Sequence, residues 1–176
     1  AHDCPALGGV YKLTAVLWAE GWQPRMKLSS NLEKATDPGR KQIVRYYDGD
    51  DRPLGDMLCL EGSRWPESGT IAGRSQKHPH MAARIEGAAR AEGLLRTVIS
   101  GGRRLRPAEP LDTVRLRAQD QMDALPDEFK RLRNPEIYRV MLSEELGAVK
   151  DRMLTRPELA SAGVCPKGPP WEHWVP

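Results

Sequence analysis

Phenylalanine occurs once in this chain of 176 residues, and aromatic residues make up only 6%. Large aromatic side chains carry the greatest buried area per residue. With so few of them, part of the buried surface is expected to come from a partner or from further polypeptide. Cysteine is scarce too. Cys4, Cys59 and Cys165 are far apart and form no C-x-x-C pair, which excludes a disulfide framework and a zinc motif and fits reduced thiols. No apolar run approaches membrane-spanning length, and the first residues lack the charged-then-apolar layout of a signal peptide. A cytoplasmic protein with no membrane role is the expectation.

Charge is neither extreme nor massed. Hydrophobic residues are 39% and charged residues 29%, with a net charge of +3 and a pI near 8.9. Mild basicity of this kind suits small phosphate-bearing molecules and falls short of a nucleic-acid footprint. Only Arg103-Arg104-Leu105-Arg106 gathers cations in one run, so most of the rest read as solvated faces.

The local pattern predicts strands first and helices after. Residues 9–18 mix β-branched and aromatic side chains between Gly-Gly and Glu-Gly, which reads as a strand. A turn is expected at Gly21–Pro24, with a short second strand from Arg25 to Leu28. After the Asp37-Pro38-Gly39 turn signal come strands at Ile43–Tyr47 and Leu54–Leu60, joined by the Asp48–Asp51 turn. Their alternation suggests an antiparallel meander with one face covered. A long loop is expected from Glu61 to about His80. Residues 81–93 read as helical on alanine content, although two glycines weaken that reading. Leu94–Ser100 and Arg103–Arg106 form a hairpin around Gly101-Gly102. A helix opens at Leu111 with Asp112 as its cap, Pro126 interrupts it, and a continuation from Asp127 stops at Asn134-Pro135. Ser143 caps a last helix whose Leu146, Val149 and Met153 recur at helical spacing. The fold class is α+β. Residues 1–154 form the structured part, followed by a Pro- and Trp-containing tail at 155–176.

Candidate chemistry centres on Arg25, Lys27 and Ser29. On a strand these alternate residues share one face, and two cations with a hydroxyl make a clamp for an anionic leaving group. Taken alone, the pattern favours a solvated strand face. Lys34, Arg40, Lys41 and Arg45 cluster about the Pro38-Gly39 turn, where a flexible basic loop could help bind phosphates but surface charge is the commoner reading. His78 and His80 lack partners at metal-ligand spacing. No catalytic constellation and no metal site can be argued.

The series Pro5–Leu13 (PALGGVYKL), MKLS at 26–29, DPGRKQ at 37–42, PDEFKRLRNP at 126–135 and LSEEL at 142–146 resembles the C-terminal part of nicotinate phosphoribosyltransferase. Departures are Arg139-Val140-Met141, where the family more often has Pro-Val-Gly, and the divergent loop from Ser63 to His80. The resemblance reverses the preference at Lys27 and Ser29. In related nicotinamide phosphoribosyltransferases a Lys-x-Ser at the matching place reaches the diphosphate from the neighbouring subunit. Arg25 and Lys41 follow as weaker carry-overs.

The resemblance implies a fold and an activity. This chain would be the C-terminal share of the α/β domain that accompanies the irregular α/β barrel of type II phosphoribosyltransferases. Such enzymes join nicotinate to phosphoribosyl diphosphate, forming nicotinate mononucleotide with ATP hydrolysis, for NAD synthesis. ATP and Mg2+ are implied for the whole enzyme, with neither bound by this chain alone. A homodimer is implied once the barrel is present. The family's Gly-Thr phosphate-binding turn would lie just before Ala1, so a piece of an enzyme is expected. Alternatives are a subunit of a split transferase, or a non-catalytic phosphate-binding or regulatory module derived from the family.

Overall fold

The computed structural model describes residues 11–27, 35–76 and 81–155. The first elements form a separate hairpin. β1 (Ala15–Trp18) pairs antiparallel with β2 (Gly21–Pro24), from Ala15 opposite Pro24 to Trp18 opposite Gly21. Gly21–Pro24 is therefore a strand, not the expected turn. The chain reverses one step earlier, at Ala19-Glu20, and Gly21 takes the positive φ of 106° that follows it.

Six strands build the main sheet. β3 (Lys41–Tyr47) and β4 (Pro53–Leu60) pair as the alternation predicts, around the turn at Asp48–Asp51. β5 (Gly69–Ser75), β6 (Ala82–Ala88) and β7 (Arg90–Gly93) follow, and β10 (Val140–Leu142) arrives from far along the chain. The order is β6-β5-β10-β4-β3-β7. β10 runs parallel to β4 and antiparallel to β5. The sheet is thus mixed, and the expected simple meander is corrected at its centre.

Two further corrections concern residues 61–93. The expected loop contains β5, and the alanine-rich stretch is β6 and β7 rather than helix. The strand that replaces the expected helix carries a bulge. Gly69 faces Ala88 while Ile71 faces Ile85, so β6 carries one extra residue, and Gly87 sits at φ 74°. Ile85 and Ala88 both turn inward at a spacing of three, which imitates a helical stripe.

The sheet curls until β6 also lies against β3 and β4. Its inner face holds Val44, Tyr46, Met57, Cys59, Ile71, Ile85, Ala88 and Met141. Full burial of an Ile or Met side chain stabilises by roughly 1.5–3 kcal/mol. Close approach at two glycines makes this curl possible. A Cβ on Gly55 would sit 2.9 Å from Ile85 Cδ1 and from the Arg139 carbonyl, and one on Gly73 would lie 2.5 Å from the Leu142 carbonyl.

The helices differ in support. α3 (Glu144–Leu154) packs on β4 and β5 through Leu146, and the Ser143 hydroxyl accepts from the Leu146 amide as the sequence predicts. Gly147 leaves room for Arg74, which pairs with Glu144 at 2.8 Å and Asp151 at 2.5 Å, one on each side. α1 (Leu111–Asp123) and α2 (Asp127–Lys130) bury no residue. Pro110, not Asp112, precedes α1, and no side chain caps it. A small hairpin, β8 (Ile99–Ser100) with β9 (Arg103–Arg104), turns at Gly101-Gly102 as expected, both at positive φ. The architecture is α+β. No helix among the described residues is long and apolar enough to cross a membrane.

Candidate functional site

Arg25 to Lys27 run on from β2 without strand pairing. The assigned ladder runs to Pro24 opposite Ala15, and past it only the single bond from the Arg25 amide to the Thr14 carbonyl continues across the hairpin. Arg25 to Lys27 thus lie outside any assigned strand, and Leu28, Ser29 and Lys34 lie outside the described residues. Arg25 Nη1 turns back to donate to the Pro24 carbonyl at 2.8 Å.

Lys27 is held differently. Its backbone amide donates to Thr36 Oγ1 at 2.9 Å, and its carbonyl accepts from the Thr36 amide at 3.4 Å. The side chain is exposed, and its ammonium has no partner among the described residues. A cation with a fixed peptide and a free head is suited to meeting an anion that arrives from outside.

The loop opposite Lys27 is tied down at several points. The Thr14 carbonyl accepts from the Arg25 amide at 2.8 Å and from the Gly39 amide at 2.7 Å. Gly39 takes φ 84°, which glycine alone adopts without strain. Lys41 Nζ donates to the Asp37 and Gly39 carbonyls, each at 2.7 Å. Burial lowers the Lys41 pKa from its ordinary value, and the charge of Asp37 opposes that shift. Lys41 is thus a clasp on the turn, not an outstretched arm. Asp37 Oδ1 meets Lys150 Nζ at 2.6 Å, with side chains only 11% and 6% exposed. Gln76 Nε2 donates to Asp37 Oδ2 at 3.4 Å.

The rest of the basic cluster is neutralised by neighbours. Arg40 pairs with Glu61 at 2.6 Å and lies over the Trp22 ring at 4.6 Å. Arg45 binds both oxygens of Asp56, at 2.8 and 2.9 Å, and the Tyr138 hydroxyl donates to Asp56 Oδ1 at 2.9 Å. The hydrogen bonds that Arg45 donates to Asp56 raise the Arg45 pKa, and burial raises that of Tyr138. Arg45 therefore organises the sheet face and is not free for phosphate.

A cleft of about 290 Å³ is lined by Leu54, Ile85, Phe129 and Ile137 with Glu86, Glu128, Glu136 and Arg139. Three carboxylates against one guanidinium give it the wrong sign for a diphosphate. Among the described residues no group of three or more His, Cys, Asp or Glu is placed to hold a metal. The loop's own carboxylate, Asp37, is already committed to Lys150. His78 and His80 lie outside the described residues.

Thr36, Asp37 and Lys150 were not among the sequence candidates. One signal for Lys150 was present. It stands four residues after Leu146, on the stripe that must be buried, and a buried lysine needs a carboxylate.

The chain matches the family model described as nicotinate phosphoribosyltransferase C-terminal domain over residues 40–150. That span includes Lys41 and Lys150, and it begins after Arg25, Lys27 and Ser29. Human nicotinate phosphoribosyltransferase is 39% identical over 145 residues, which cover 82% of this chain and 26% of that protein. The Bacillus subtilis enzyme of the same name is 30% identical over 146 residues, 82% of this chain and 30% of its own. The crystal structure of human nicotinic acid phosphoribosyltransferase superposes with a TM-score of 0.63 at 32% identity, covering 74% of this chain and 25% of that one. This chain spans about a quarter of the length of these relatives. With its curled mixed sheet, its Ser143-capped helix and this match, the chain belongs to the nicotinate phosphoribosyltransferase family, of which it carries the C-terminal part.

Proposed function

We propose that residues 1–154 act as the cationic cover of a nicotinate phosphoribosyltransferase, closing on the diphosphate of phosphoribosyl diphosphate. The reaction joins nicotinate to that sugar, releases diphosphate and yields nicotinate mononucleotide for NAD synthesis, with ATP hydrolysis coupled to turnover. Nicotinate, ribose and ATP are handled by the barrel part, and the complete enzyme works as a cytoplasmic homodimer. As the bond to the ribose carbon breaks, negative charge grows on the diphosphate. A fixed cation beside it stabilises that charge at no reorganisation cost. Lys27 takes this role, Ser29 donates a hydrogen bond next to it, and Arg25 stands behind. Lys41 keeps the turn closed and offers its remaining N–H to the same anion.

The observation that carries this reading is Lys27 itself, bonded to Thr36 through both of its peptide groups with its ammonium free among the described residues. The test is Lys27→Ala in the active transferase that contains this sequence. A hydrogen bond to a charged group is worth about 1.5–3 kcal/mol. The expected result is a roughly ten- to hundredfold loss in kcat/KM for phosphoribosyl diphosphate, with the melting temperature unchanged. Wild-type kinetics in this variant would remove Lys27 from the role.

A further inference from the structure

A buried ion pair joins the Asp37 turn to the last helix across 113 residues of sequence. Lys150 lies on the packed side of α3 beside Leu146 and Gly147, and both ends of its bridge to Asp37 are nearly excluded from water. A bridge of this kind contributes little net stability, because desolvation of both charges offsets their attraction. Its effect is geometric. Asp37 follows Thr36 directly, and Thr36 is the residue that bonds the Lys27 peptide on both sides. The Lys41 clasp fixes the Asp37 and Gly39 carbonyls, so the turn moves as one unit. A continuous set of bonds therefore runs from α3 through Lys150, Asp37 and Thr36 to Lys27.

We propose that Asp37 and Lys150 are positioning residues for the diphosphate-binding segment, setting from helix α3 where the Lys27 ammonium stands. The inference rests on the assignment of Lys27 to the diphosphate. Neither Asp37 nor Lys150 touches substrate. Both act through Thr36, and Thr36→Val, which removes the hydroxyl while keeping the shape, takes away the bond to the Lys27 amide and leaves the Thr36 amide on the Lys27 carbonyl.

The variants are Lys150→Met, the neutral pair Asp37→Asn with Lys150→Met, and Lys150→Arg. Lys150→Met strands a buried carboxylate and can fail to fold. The neutral pair strands none and keeps the test available. Two readouts are taken, amide exchange at Lys27 in the 176-residue chain and steady-state kinetics in the transferase that contains it. In the neutral pair the Lys27 amide should exchange at least tenfold faster. KM for phosphoribosyl diphosphate should rise about tenfold, while KM for nicotinate stays within twofold. Lys150→Arg should restore both. Unchanged Lys27 exchange in the neutral pair overturns the connection. Faster exchange with unchanged KM overturns its functional meaning. If Lys27→Ala itself leaves KM unchanged, the diphosphate assignment falls, while the exchange readout still decides whether α3 holds the segment.

Discussion

Tyr46 is the most confined polar side chain in the sheet. It is fully buried in the core face, and its hydroxyl has no hydrogen-bond partner among the described residues. A buried unsatisfied hydroxyl costs free energy that an apolar ring of the same shape avoids. Burial, aided by the neighbouring Cys59, pushes the phenol from 10.0 up to about 12. The folded-state pKa lies above the unfolded one, so the folded protein holds this proton more tightly. Its contribution is whole below pH 10 and is lost as pH rises from 10 to about 12. Tyr46→Phe should therefore leave stability at pH 7 unchanged or raised, and should lessen the loss between pH 9 and pH 11. Urea unfolding at those three pH values measures both effects. A loss above about 1 kcal/mol at pH 7 would mean that the hydroxyl has a partner after all. At this scale the site was half legible. Lys27 stood out through its neighbours in sequence, but Arg25 to Lys27 lie beyond the β2 ladder rather than on the strand expected there. Thr36, which bonds its peptide, stands next to the Asp37–Lys150 pair, a contact that no local pattern contains.

Most elements closed by short, local turns were legible, although β2, just past the Ala19-Glu20 turn, was not. β3 and β4 announced themselves by alternation around Asp48–Asp51, β8 and β9 by Gly101-Gly102, and α3 by the Ser143 cap. Elements held by distant partners were hidden. β10 has three residues and finds its place only between β4 and β5. β6 is alanine-rich, and its bulge spaces the inward side chains as a helix would. Non-local pairing overrode the local preference. The β5–β10 contact shows how tightly that pairing is specified. Gly73 faces the Leu142 carbonyl so closely that an added Cβ would lie 2.5 Å from it, against backbone that cannot step aside. Gly73→Ala should push β10 off β5 and destabilise the domain by about 1–3 kcal/mol or more. Ser143→Ala, removing only the cap, should cost about 1 kcal/mol. Urea midpoints rank the two, and a smaller effect at Gly73 than at Ser143 would show that β10 docks loosely.

The whole molecule divides into a packed sheet with α3 and an uncovered remainder. Leu111, Leu116 and Met122 of α1 are 63%, 65% and 54% exposed, and Val98, Ile99 and Leu105 are exposed about the nearby hairpin. An isolated helix of about a dozen residues is marginal in water, and so is a lone two-stranded hairpin. Neither gains from the core, since α1 buries nothing. On the proposed reading the rest of the transferase supplies their cover, along with every group that handles nicotinate and ribose. Two outcomes follow for the purified 176-residue chain. The amides of residues 111–123 should exchange close to free-peptide rates, whereas those of β3 and β4 are protected, and α1 should gain protection in the complete enzyme. The chain given nicotinate, phosphoribosyl diphosphate, ATP and Mg2+ should form no nicotinate mononucleotide, because a cation beside the leaving group cannot position the attacking ring. Slow exchange in α1 of the isolated chain would mean that the helix needs no cover. Product from that chain would place the entire reaction within these 176 residues and end the division of labour argued from Lys27.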